Sequence, residues 1–68
     1  MSYLVGELVL DSGAKVIIRW PDKTETHAIY RDTIGYNHFF DSAEGEKEIR
    51  LSNHFMRLKG IYIREDNE

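Results

Sequence analysis

The sequence predicts a mainly β fold: a small antiparallel meander of about five strands forming a compact barrel or sandwich, with room for one short helical turn within 52–60. Two observations carry this. Strand-forming residues fill the runs 4–10, 16–20 and 24–30, and short turn-forming groups, Asp11-Ser12-Gly13-Ala14 and Pro21-Asp22-Lys23, separate them. After a less regular middle, polar and apolar residues alternate again through Glu48-Ile49-Arg50-Leu51.

The register of the first two hairpins follows from side-chain matching. A loop of Ser12, Gly13 and Ala14 would set Leu10 against Val16, Leu8 against Ile18 and Gly6 against Trp20, with the bare Gly6 leaving room for the indole. The opposite face would then pair Glu7 with Arg19 and Val9 with Ile17. Slipping by one residue would bury Glu7 against Ile18. A similar loop at Pro21-Asp22-Lys23, where proline presets the turn, pairs Trp20 with Thr24, Ile18 with Thr26, Val16 with Ala28, Arg19 with Glu25 and Ile17 with His27. Arg19 would lie between Glu7 and Glu25.

Residues 31–37 read as a loop with two apolar anchors, His38-Phe39-Phe40 as a short strand or buried turn, and 41–46 as a second loop. Two readings compete for the last third. Ser52 as N-cap and Gly60 beyond the C-terminus would frame a helix with Leu51, Phe55 and Leu58 at helical spacing. A strand over 55–64, bent at Lys59-Gly60, accounts for Met56, Leu58, Ile61 and Ile63, and is preferred.

With 68 residues the chain is expected to form one domain, 1–64, followed by a disordered acidic tail, 65–68. Its stability margin should be small, roughly 5 kcal/mol. There is no cysteine, so neither disulfides nor thiolate metal sites can supplement the core. Either packing suffices or a partner completes it. The tail holds three of the twelve acidic residues, which leaves nine acidic against nine basic side chains in the body. A neutral body has no net field to attract a polyanion. The N-terminus lacks a basic leader and no apolar run is long enough to span a bilayer, so a cytoplasmic location and no membrane partner are expected.

Each form of catalytic chemistry lacks a motif. His27, His38 and His54 are spaced unlike metal ligands, and three unrelated histidines are the simpler reading. Glu44, Glu46 and Glu48 crowd one polar loop, without the contrast of environments that separates the pKa values of a catalytic pair or the spacing of a calcium loop. No serine lies in a nucleophile turn, and every glycine is isolated, which removes phosphate cradles. No enzymatic activity, cofactor, metal or small-molecule substrate is expected.

The expected function is therefore that of a non-enzymatic interaction or regulatory module, of the accessory-factor type found in bacteria and phages. It would bind a protein partner, or a second copy as a homodimer, through the exposed sheet face carrying Val9, Ile17, Ile29, His27 and Arg19. The alternative is a small β-barrel that binds single-stranded nucleic acid with Tyr36, Arg50, Arg57, Lys59, Tyr62 and Arg64, by stacking and phosphate contacts.

Overall fold

In chain order the elements are β1 (Ser2–Val5), β2 (Leu8–Asp11), β3 (Lys15–Arg19), β4 (Glu25–Ile34), β5 (Asn37–Ser42), β6 (Glu48–Ser52), α1 (Asn53–Lys59) and β7 (Tyr62–Glu65). The computed structural model describes residues 2–45 and 47–67. Strands β3 to β7 form one antiparallel sheet in the order β6-β5-β4-β3-β7, and β1 and β2 form a separate two-stranded hairpin. The mainly β, antiparallel class is as the sequence predicts, in its sandwich form, and the five-stranded sheet does not close into a barrel.

The second hairpin has the expected register: Val16 faces Ala28, Ile17 faces His27, Ile18 faces Thr26 and Arg19 faces Glu25. Its loop closes with Lys23 N–H donating to the Trp20 carbonyl at 2.9 Å. Lys23 takes the left-handed conformation, φ 72°, that ends a three-residue loop of this kind.

The first hairpin differs from expectation. β2 pairs with β1, not β3, so Val5 faces Leu8 and Leu4 faces Val9. Gly6 and Glu7 are the turn between them, and Gly6 sits at φ 62°. A two-residue Gly-X turn suits the twist of adjacent strands and closes a shorter loop than residues 11–14 could. Gly6 therefore does not face Trp20, whose indole Nε1–H instead donates to Thr26 Oγ1 at 2.7 Å. Glu7 does not join Arg19 and Glu25, and Val9 is not on the face of Ile17. At residues 11–14 the chain changes sheets. Gly13 N–H donates to the Tyr30 carbonyl at 2.7 Å and Tyr30 N–H to the Ala14 carbonyl at 2.8 Å.

Strand β4 runs past the expected loop to Ile34, then turns back at Gly35 and Tyr36 into β5. A bulge at Arg31 lies between the pairs Tyr30–Phe40 and Asp32–Phe39. An extra residue reverses the alternation, so that buried Tyr30 and half-buried Thr33 share the inner face although an odd number of positions separates them.

Residues 53–59 are helical, which corrects the preferred strand reading. Ser52 Oγ accepts from Phe55 N–H at 3.1 Å as N-cap. Gly60, at φ 74°, ends the helix, and Ile61 N–H returns to the Met56 carbonyl at 2.8 Å. The buried residue of the helix is Met56; Phe55 and Leu58 are exposed. β7 then pairs with β3, Val16 facing Glu65, and Asp66 N–H donates to the Lys15 carbonyl at 3.0 Å. Glu65, expected in the tail, is thus the last residue of β7, and Asp66 beyond it is hydrogen-bonded to β3. Among the described residues no helix is long and apolar enough to cross a membrane.

The core lies between the inner sheet face and a layer made of the β1–β2 hairpin and α1. Val16, Ile18, Ala28, Tyr30, Phe40 and Leu51 come from the sheet; Val5, Leu10, Met56 and Ile61 come from the covering layer and its connection. The adjacent Phe39 and Phe40 lie on opposite faces of β5: Phe40 is buried and Phe39 is half-buried on the outer face.

Candidate functional site

A row of polar groups joins the covering layer to the inner face of the sheet. Tyr30 OH meets Thr33 Oγ1, which meets His38 Nδ1 at 2.7 Å. His38 Nε2 lies 2.9 Å from Asn53 Oδ1, and that oxygen also accepts from Gly6 N–H at 2.8 Å. The direction of the row follows from its last member. An amide oxygen cannot donate, so His38 Nε2 carries the hydrogen; in the neutral ring Nδ1 then accepts from Thr33, and Thr33 accepts from Tyr30. Burial raises the Tyr30 phenol above its ordinary pKa, which keeps the donor at the head of the row protonated. His38 is only 4% exposed, and both its ring nitrogens are engaged. It is a structural bridge between β5, α1 and the β1–β2 turn.

Above this row the surface is concave. One depression, of about 420 Å³, is lined by Leu4, Thr33, Gly35, Tyr36, Asn53 and His54, with His38 at its base. A second, of about 270 Å³, is lined by Leu4, Glu7, Asn53, Arg57, Tyr62 and Ile63. Leu4 and Asn53 line both, so the two depressions adjoin, and together they make up the candidate groove. Three of its apolar residues are strongly exposed, Leu4 at 60%, Tyr62 at 69% and Tyr36 at 90%, while Met56 and Ile61 form a buried floor. Gly35, at φ 63°, opens the tight turn that presents Tyr36.

The residues expected to bind a partner lie elsewhere, on the outer sheet face, except for one. Ile17 is flanked by His27 and Arg64, Ile29 by Lys15 and Asp41, and Arg19 by Glu25 and Tyr62. Ile17 and Ile29 are half-buried. Val9, on the other sheet, is 64% exposed and not among them. The charges of the outer face are largely matched within the molecule. Arg64 Nη1 donates to Glu25 Oε2, His27 Nδ1 lies 3.2 Å from Asp66 Oδ2, and Arg31 reaches Asp41 at 3.4 Å and Glu48 at 3.9 Å.

The nucleic-acid candidates divide between surfaces. Tyr36, Tyr62 and Arg57 line the groove. Arg64 is paired with Glu25 on the outer face, Arg50 lies on edge strand β6, and Lys59 is exposed in the last turn of α1 beside the negative end of its dipole. The three histidines do not converge: His27 is on the outer face, His38 is in the buried row, and His54 is exposed at the start of α1. No group of three or more potential metal ligands is found among the described residues. Of the crowded carboxylates, Glu46 lies outside the described residues, and Glu44 is exposed.

The hydrogen bond from Arg64 holds the Glu25 carboxyl below its ordinary pKa. A lowered folded-state value means that this pairing stabilises the fold above the ordinary carboxylate value and that its contribution is lost as pH falls through the lowered one. Glu25→Gln should therefore melt below the parent at neutral pH, and the difference should shrink toward zero in acid. Both groups are exposed, so added salt should also reduce it. A gap that persists at low pH would assign the loss to packing.

The polar row and the groove were not foreseen. Leu4, Thr33, His38 and Asn53 are distant in sequence and meet only because of the bulge, the Gly6-Glu7 turn and the Ser52 cap. Comparison with protein-family models, with curated proteins and with solved structures finds no match to this chain.

Proposed function

We propose that this protein is a non-enzymatic interaction module that receives an extended segment of a partner protein in the groove from Tyr36 to Tyr62. The supporting observation is the contrast between its two broad surfaces. On the outer sheet face the charges are largely matched within the molecule, whereas the two adjoining depressions expose Leu4 and Tyr36, with Tyr62, which faces Arg19 across the strands, at their rim. Large apolar side chains held this far out of the core suit burial against another chain. Tyrosines combine an apolar ring with a hydroxyl able to bond a partner's backbone, at low cost in side-chain entropy. Two adjoining depressions suit successive side chains of a peptide better than one compact molecule.

Single-stranded nucleic acid is the second reading, favoured by exposed Tyr36 on one depression and exposed Tyr62 with Arg57 on the other. Titration of the labelled protein against an array of random peptides and against oligonucleotides, across a salt series, separates the two. Peptide binding with weak salt dependence is expected. Tyr36→Ala should weaken it by about 2 kcal/mol, near 30-fold, whereas Ile17→Thr on the sheet face should not. Absence of any binding peptide, or equal loss in both variants, would remove the groove reading. Oligonucleotide binding that falls steeply with salt and is weakened by Arg57→Gln would put the second reading first.

A further inference from the structure

Strand β6 forms one edge of the five-stranded sheet, and among the described residues no strand pairs with its outer side. The direction of its backbone groups can be derived. Ser42 N–H donates to the Lys47 carbonyl at 3.0 Å, so Lys47 bonds inward to β5. With Phe40 facing Ile49 and His38 facing Leu51, alternation turns Ile49 and Leu51 inward as well. The amides and carbonyls of Glu48 and Arg50 therefore point away from the sheet, unpaired, and their side chains are exposed.

We propose that this edge pairs with the same edge of a second copy of the chain, antiparallel about a two-fold axis through Ile49. In that register Glu48 faces Arg50 of the second copy and Arg50 faces its Glu48. Each pair exchanges both backbone bonds and sets opposite charges directly across the strands. Ile49, half-buried in the single chain, meets its own copy at the closely spaced position on the axis. The charges select this register over its neighbours. Moving the axis by one residue in either direction sets Glu48 against Glu48 or Arg50 against Arg50, and half-residue displacements leave outward amides facing inward-bonded ones. Arg50 has no ion pair among the described residues, and Glu48 has only the 3.9 Å contact with Arg31, so both are available. The result is one continuous sheet across two copies. The contact is short, so the dimer is weak and forms toward millimolar concentration.

Sedimentation equilibrium from micromolar to millimolar protein tests this, with circular dichroism as the check of folding. Glu48→Arg and Arg50→Glu each set like charges across both pairs and should each raise the dissociation constant at least about tenfold. An equimolar mixture of the two single variants should regain association, because each then faces its complement. The double variant Glu48→Arg with Arg50→Glu should associate like the parent. A parent that stays monomeric at millimolar concentration, single variants that associate unchanged, or a mixture that fails to recover would overturn the proposal.

Discussion

Phe40→Ala should leave a chain whose melting midpoint is lower by about 20 °C, and which is substantially unfolded at room temperature. Phe40 is fully buried on the central strands, opposite Tyr30 and Ile49, with its ring 5.6 Å from that of Tyr30 at 61°. Truncating a buried phenylalanine costs about 3–5 kcal/mol, including the edge-to-face contact, and the whole margin of so small a domain is of similar size. Phe39→Ala provides the control. That ring is half-buried on the outer face, and its loss should cost about 1 kcal/mol or less. Thermal melts of the two variants read out the prediction, and equal losses would mean that the faces of β5 are assigned wrongly.

The second large effect is expected for Asn53→Ala. Asn53 Oδ1 is the shared acceptor for His38 Nε2–H and Gly6 N–H. Gly6 lies in an exposed turn where water can replace the lost acceptor, but His38 is enclosed and its N–H would be left without a partner. A stranded buried donor costs about 1–3 kcal/mol, and alanine returns about 0.5 kcal/mol in helix propensity at the start of α1. The net loss should be about 1.5 kcal/mol. Because the same bond fastens the β1–β2 turn to α1, amide exchange in β1 and β2 should accelerate more than in β4 and β5. Asn53→Asp keeps an acceptor and should lose less. Uniform acceleration across all strands would mean that the bond supports global stability alone.

The parts of this fold legible in the sequence are those governed by local rules. The β3–β4 hairpin follows from matching Val16 with Ala28 and Arg19 with Glu25 around a proline turn, and its register is as expected. The two Gly-X turns are equally local, yet their neighbours disguise them. Val5-Gly6-Glu7-Leu8 reads as a continuous strand when Gly6 is assigned a packing role opposite Trp20, and Ile34-Gly35-Tyr36-Asn37 is hidden by the bulge before it. At Arg31 the two-residue period breaks, and a pattern search beyond Tyr30 assigns the wrong face to each following residue. Helix and strand were close competitors over 53–59 because the apolar residues fit both periods. The cap at Ser52 and the left-handed Gly60 favour the helix, and burial of Met56 fixes which side faces inward. The candidate groove depends on all three of these features together, which explains why the sequence pointed first to the regular face of β3 and β4.

The pairing of β7 with β3 also bears on the order in which the chain can assemble. Neighbouring strands of the meander β3 to β6 meet across short connections, and β1 meets β2 across two residues. β7 meets β3 only by closing a segment of about forty residues, from Arg19 to Tyr62, and closure entropy grows by about 0.6 kcal/mol for each doubling of length. The last strand consequently gains its contacts at the greatest entropic cost if it arrives alone, and at a much smaller one once the meander has brought β3 and β6 into place. Until it docks, the edge of β3 beside Ile18 has no neighbour. A chain slowed at that step would hold an open strand edge in solution, and its tendency to aggregate would then depend on a docking rate rather than on the stability of the finished fold.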